Sequence, residues 1–239
     1  MHPSASKSRA RLPFLLLFLA VLPWLAGQMA AQDKWAKRDA WQRPAEVMDA
    51  LGIKPRSVVA DVGAGEGYFT FRLAARVGPE GKVYAEDILE DKLAKVRARA
   101  AKEGLRQIEV ILGASNDPRL PAETLDAILV VNAYHEMREY DAMLEGMYRG
   151  LKPGGLLVII DSPIPPGGPR ENYFKDHRIP EQLVREDAAC NGFRFVRQEP
   201  GFHRPENGRS YFFLIFKKPT GASHKERWKD SLARIIHAR

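Results

Sequence analysis

Hydrophobic and polar positions change period repeatedly along this chain. "RPAEVMDALGI" places Val47, Met48 and Leu51 at i, i+1 and i+4, one helical face closed by Gly52. From Ser57 onward, apolar runs of strand length alternate with amphipathic stretches. "SVVADV", "KVYAED", "IEVIL", "LDAILVVNA" and "GGLLVIID" read as strands. "YFTFRLAARV" ends at Gly78 and "EDKLAKVRARAAKE" at Gly104, as helices do. "MREYDAMLEGMYRGL" sets Met137, Tyr140, Leu144, Met147 and Leu151 on one helical face. Such alternation predicts βαβ units and hence an α/β fold, a doubly wound and mostly parallel sheet with helices on both faces.

After Asp161 the period is lost. "SPIPPGGPRENYFKDHR" is rich in Pro and Gly and long enough to be a lid or binding loop. "PEQLVREDAACNGF" then predicts a helix with Pro180 in its first turn and Gly192 at its end. "FRFVRQE" and "RSYFFLIFKK" complete a seven-stranded sheet, with an antiparallel edge. In the tail, "SHKERWKDSLARIIHAR" sets Trp228, Leu232, Ile235 and Ile236 on one face among basic residues, suited to lying on lipid or packing on the domain.

Composition adjusts this picture at the two ends. "KSRARLPFLLLFLAVLPWLAG" has the basic and apolar segments of a signal peptide, so residues 1–31 are expected to be an export leader or an uncleaved N-terminal anchor. The domain is expected over residues 32–218 and a basic amphipathic tail over 219–239, with the protein periplasmic, secreted or anchored. Residues 1–43 carry seven Lys and Arg against two Asp and Glu, and residues 217–239 the same, so the ends hold +10 and the body −3 of a total of +7. That distribution fits attraction to an anionic membrane surface, or simply solubilising ends, and argues against a nucleic-acid groove. The lone Cys190 excludes an internal disulfide, and no Cys/His spacing suits structural zinc, so no metal site is expected.

The chemistry concentrates in "VVADVGAGEGYFTFRLA". Glycines at alternate positions 63, 65 and 67 make a turn that a ligand can approach without meeting a Cβ. The spacing D-x-G-x-G-x-G differs from the dinucleotide pattern G-x-G-x-x-G. Asp61 and Glu66 beside the turn favour a cationic ligand over a diphosphate.

In these motifs the chain resembles the class I S-adenosylmethionine-dependent methyltransferases, over roughly residues 45–217. "ADVGAGEGY" looks like the family's first motif, "VYAEDI" like its second, "LDAILVVNAYHEM" like its fourth-strand segment and "LKPGGLLVIID" like its entry into strand five. The resemblance implies a Rossmann-like methyltransferase fold and S-adenosylmethionine as cofactor. It also implies that Asp61 helps hold the methionine portion, that Gly63, Ala64, Gly65 and Gly67 line it, and that Asp87 (or its neighbour Glu86) bonds the ribose hydroxyls. Where the family often has Gly-Asp after strand three, this chain reads "LGASNDPRLP", with Ala114 in the Asp position and Ser115, Asn116 or Asp117 nearby.

Methyl transfer needs alignment and, for a protonated nucleophile, a base. "NAYHE" sets Asn132, Tyr134, His135 and Glu136 just past strand four, with His135 the candidate base and Tyr134 and Glu136 beside it. In the competing reading, His135 and Glu136 cap the next helix and Tyr134 packs against the cofactor. Tyr173 and Phe174 are candidate walls of an acceptor pocket, and His177 and Arg178 candidate contacts to the acceptor or ordinary surface residues. The acceptor expected from the resemblance to quinone-biosynthesis enzymes is a small or lipid-like molecule. A protein carboxylate, suggested by likeness to protein isoaspartyl methyltransferases, stays open. So does an exported binding module without catalysis, because the donor is made in the cytosol. A nicotinamide-dependent reductase rests on glycine spacing alone.

Overall fold

The computed structural model describes residues 35–204 and 209–221. The leader, and the basic tail from residue 222 onward, lie outside the described residues. The chain divides into two units after Ala40, and the sheet and the site belong to the second. Among the described residues, no helix is long and apolar enough to cross a membrane.

Continuous apolar runs form the middle of the sheet because both of their faces are covered. β1 (Val58–Val62) and β4 (Leu125–Val131) are buried almost throughout. β1 pairs in parallel with β2 (Lys82–Asp87) on one side and β4 on the other. β2 pairs with β3 (Ile108–Leu112), and β4 with β5 (Leu151–Asp161), again in parallel. The last two strands are antiparallel: β7 (Phe212–Lys217) pairs with β5, and the exposed edge strand β6 (Arg194–Gln198) with β7. The order β3-β2-β1-β4-β5-β7-β6 reverses direction between β1 and β4. In parallel sheets the carboxyl ends of strands at such a reversal form the ligand crevice.

α1 (Pro44–Ala50) buries Val47 and Met48 as its pattern requires. α2 (Tyr68–Val77) follows the glycine turn, α3 (Glu90–Glu103) follows β2, and α4 (Tyr140–Gly150) precedes β5. One core joins Ala60, Val62, Ile128, Val130, Leu157 and Ile159 of the sheet to Met143, Leu144 and Met147 of α4. Val184 and Ala188 of α6 (Glu181–Cys190) pack into that core.

Two expectations change. The helix after β4 starts at Tyr140 and leaves out Met137, whose extended backbone (φ −75, ψ 106) ends a separate 3₁₀ turn over Tyr134–Glu136. That turn exists because the His135 backbone N–H is held by Asp161 at the end of β5, 3.1 Å away. The segment between β5 and α6 is also less irregular than its composition suggests, since it contains α5 (Glu171–Asp176). Six residues are too few to show a helical period.

Candidate active site

β1 delivers the chain into the turn, where Gly63, Gly65 and Gly67 have φ of +72, +56 and +85. In this left-handed region a Cβ costs about 1 kcal/mol. The three glycines answer to different neighbours. A Cβ on Gly63 would lie 2.4 Å from the Cβ of Ala133, and one on Gly67 would lie 2.7 Å from the Phe71 ring. A Cβ on Gly65 would meet nothing within 4 Å. Gly63 and Gly67 are therefore bare for the protein's own packing, and Gly65 is bare toward open space.

The acids around the turn are tied to it. Asp87 Oδ2 accepts the Gly65 N–H at 2.8 Å, and its Oδ1 accepts the Leu89 N–H at 2.9 Å. Two accepted bonds leave lone pairs on both oxygens for a diol. Ile88 and Leu89 form an apolar shelf beside it, each about half exposed (54% and 50%). Asp61 is buried, and its Oδ2 accepts the Thr70 hydroxyl at 2.6 Å, so it braces the turn against α2. Ala64 donates its N–H to the Glu86 carbonyl at 2.9 Å. The Glu86 side chain is buried beneath the turn, in space that a Cβ on Gly113 would fill, 1.8 Å from Glu86 Oε1. Burial first, then the neighbouring acids Asp87 and Asp61, push its carboxyl up to about 8 despite a hydrogen bond from the Gly63 backbone. After β3, Ala114 and Asp117 exchange backbone bonds of 2.8 and 3.2 Å in a tight turn that leaves Ser115 and Asn116 exposed.

At the end of β4, Asn132 adopts φ +53 and donates its N–H to the Ile160 carbonyl at 2.9 Å. Ala133 then touches Gly63, and the 3₁₀ turn begins. His135 is buried, with Nδ1 2.8 and 3.0 Å from the two carboxylate oxygens of Asp161. Asp161 also accepts the backbone N–H groups of His135 and Ser162. A carboxylate surrounded by donors accepts, so Nδ1 carries the hydrogen and Nε2 points away from Asp161. His135 Nε2 lies 3.3 Å from His177 Nδ1 and 3.5 Å from Glu136 Oε1. Burial alone would lower the His135 pKa, but Asp161 and Glu136 outweigh it and raise it to about 9. The same contact with His135 holds Glu136 below the usual carboxylate range.

Tyr134 does not share this corner. It is fully buried, and its hydroxyl donates to Asp187 Oδ2 of α6 at 2.8 Å. Arg170, entering α5, bonds the same oxygen at 2.8 Å and lies 3.4 Å over the Tyr140 ring. Burial and Asp187 push the Tyr134 hydroxyl pKa well up, so it remains a donor. Tyr134 therefore fastens the 3₁₀ turn to α6, at the carboxylate that Arg170 also holds. Tyr134→Phe is expected to cost about 1–2 kcal/mol, read as a lower Tm with unchanged cofactor affinity. Tyr173 likewise anchors the loop: it is buried, and its hydroxyl bonds the Gly167 N–H at 3.0 Å and carbonyl at 3.1 Å. Phe174 lies under the Arg138 guanidinium, 5.1 Å away, and Arg178 is half-buried beyond α5.

The structure thus brings together His135, Glu136 and His177, which the sequence suggests separately. It adds Asp161, which sequence reasoning missed although an aspartate closing the apolar run "GGLLVIID" was a signal. Asp187 and Arg170 were missed as well, because nothing local marks them. A cleft of about 500 Å³ lined by Lys54, Arg56, Asp126 and Lys152 opens elsewhere, at the amino ends of β1, β4 and β5. It lies at the opposite end of the strands from the glycine turn and has none of the groups just described.

Residues 59–155 match a family model described as "Methyltransferase domain". The chain is 33% identical over 131 residues to a demethylmenaquinone methyltransferase of Bacillus mycoides, covering 54% of each chain. It is 32% identical over 122 residues to a ubiquinone/menaquinone biosynthesis C-methyltransferase of Hydrogenovibrio crunogenus, covering 51% of this chain and 47% of that one. The chain therefore spans about half the length of the curated relatives it matches. The crystal structure of a SAM-dependent methyltransferase from Aquifex aeolicus superposes with a TM-score of 0.64 at 29% identity, covering 78% of this chain and 97% of that one.

Proposed function

Given that the chain carries a class I S-adenosylmethionine-dependent methyltransferase domain, we propose that it methylates a small acceptor of quinone-like or lipid-like character. The observation that carries this reading is the open left-handed Gly65, bonded to Asp87 and two residues from Gly63, which in turn lies against Ala133 at the start of the turn that carries His135. The names of the Bacillus and Hydrogenovibrio relatives support a quinone-like acceptor.

Bound S-adenosylmethionine supplies a sulfonium methyl open to in-line displacement, the S–C electron pair returning to sulfur. The chain's part is to hold and align. Gly65 leaves the donor its space while the backbone of Gly63, Ala64 and Gly67 shapes the turn that lines it, Asp87 takes the ribose hydroxyls, and Asp61 stiffens the turn through Thr70. Ala114, Ser115 and Asn132 complete the wall. On the acceptor side the proton leaves to the corner of His135, Glu136 and His177, where Asp161 fixes the His135 ring. Tyr173 anchors the segment that carries His177 to that corner.

Calorimetry of the full chain with S-adenosylmethionine, followed by transfer of labelled methyl to a demethylated quinone, tests this reading. Cofactor binding and acceptor labelling are expected. His135→Ala is expected to keep cofactor affinity and to lose turnover about 100-fold or more. Binding of NADH in place of S-adenosylmethionine would sink the proposal.

Residues 1–31 as an export leader or anchor, and residues 219–239 as a membrane-surface segment, belong to the same reading. The basic and apolar pattern of those ends supports them. Amino-terminal sequencing of the mature protein checks the first, and a chain beginning at Met1 would exclude cleavage.

A further inference from the structure

His135 and Glu136 sit in the 3₁₀ turn after β4, and His177 ends α5, 41 residues beyond Glu136 in the chain. Their facing atoms form a nearly equilateral triangle. Nε2 of His135 is 3.3 Å from Nδ1 of His177, and each of these nitrogens is 3.5 Å from Oε1 of Glu136. Four ligands placed tetrahedrally about 2.1 Å from a centre lie about 3.4 Å from one another. The three side chains thus already form one face of such a tetrahedron.

We propose that His135, Glu136 and His177 bind a divalent transition-metal ion, with zinc the best match in size and geometry. Imidazole and carboxylate donors suit that class of ion, and a set of two His and one Glu leaves a fourth position to water or an acceptor oxygen. Two further observations support the site. Asp161 takes the Nδ1 hydrogen of His135, the outer carboxylate contact that metal-bound imidazoles habitually make, and it points Nε2 at the triangle. His177 holds φ +50, a left-handed backbone that residues with a Cβ seldom adopt. That conformation caps α5 and brings its ring across to the turn, 5.4 Å between ring centres.

With an ion bound, Nε2 of His135 is a ligand and not a base. An acceptor hydroxyl in the fourth position would ionise on the metal and release its proton to water. This role rests on the methyl-transfer reading, whereas binding of the ion does not.

The test is a Co²⁺ titration of the full chain after treatment with chelator and desalting, followed by visible absorption. One equivalent of Co²⁺ is expected to give the strong ligand-field bands of a tetrahedral site, and one equivalent of Zn²⁺ to remove them. His177→Gly keeps the left-handed backbone and removes a donor, so it is expected to weaken binding at least 100-fold with an unchanged Tm. Asp161→Asn is expected to weaken it about 10–100-fold. Absence of the bands, or equal binding by His177→Gly, overturns the proposal. Calorimetry with S-adenosylmethionine on the same preparations separates the two readings. An ion held without cofactor binding removes the methyltransferase function and leaves the metal site, and the reverse result removes the metal site alone.

Discussion

Gly65→Asn is expected to reduce S-adenosylmethionine affinity by at least 100-fold while the protein stays folded. The space beyond Gly65 is open, and asparagine is among the residues that tolerate a φ of +56. Its side chain would therefore be accommodated by the protein and would occupy the volume a ligand needs. Gly63→Ala should behave in the opposite way. There the new methyl meets the Ala133 Cβ at 2.4 Å, below any real Cβ contact, so β1 and the end of β4 must part. Overpacking of this kind costs about 1–3 kcal/mol, to which the left-handed backbone adds about 1. Calorimetry and thermal melts of the two variants, two positions apart, separate ligand space from packing space. Gly65→Asn binding as tightly as the wild type would show that the donor lies elsewhere.

The two halves of this site were unequally visible in the sequence. The turn was legible because three glycines in five residues have few other uses, and the acid at Asp87 follows one strand later in a local motif. Even so, the sequence could not tell that Gly63 and Gly67 serve packing and Gly65 the ligand, because that depends on Ala133 and Phe71. The succession of strands and helices was legible because apolar runs of strand length alternate with amphipathic stretches. The corner was not. Asp161 reaches His135 only because Val131 pairs in register with Ile160, so the residues just beyond β4 lie against the end of β5. His177 arrives from a loop whose composition hides α5. His177 meets the adjacent His135 and Glu136 only through tertiary structure, so spacing along the chain carries no trace of the corner. Tyr134 shows the reverse error: a residue type suited to chemistry, placed beside His135, turns inward to fasten Asp187.

Glu86 carries the second large effect, on stability. Its carboxyl has a pKa of about 8 in the folded protein against 4.5 for an unperturbed glutamate. Between those values the folded state holds a proton that the unfolded state has released. Stability therefore falls as pH rises from about 4.5 to 8, because the native state binds more protons there. Each unit of pKa difference is worth about 1.4 kcal/mol, so the loss amounts to several kcal/mol by pH 8. Glu86→Gln removes the ionisation and keeps the shape. Its oxygen can still accept the Gly63 N–H, while the amide nitrogen takes a position that lacks a partner on the glutamate, Oε1. At pH 5 the neutral glutamate leaves its O–H unpaired at the same position, so a cost of about 1–3 kcal/mol is common to both proteins. Denaturant melts should then show the two proteins about level at pH 5 and the variant ahead at pH 8. Parallel stability profiles for the two proteins would mean that Glu86 ionises normally beneath the turn. In that case a charged carboxylate, rather than a neutral one, would stand beside Asp61 and Asp87 where a cationic donor binds.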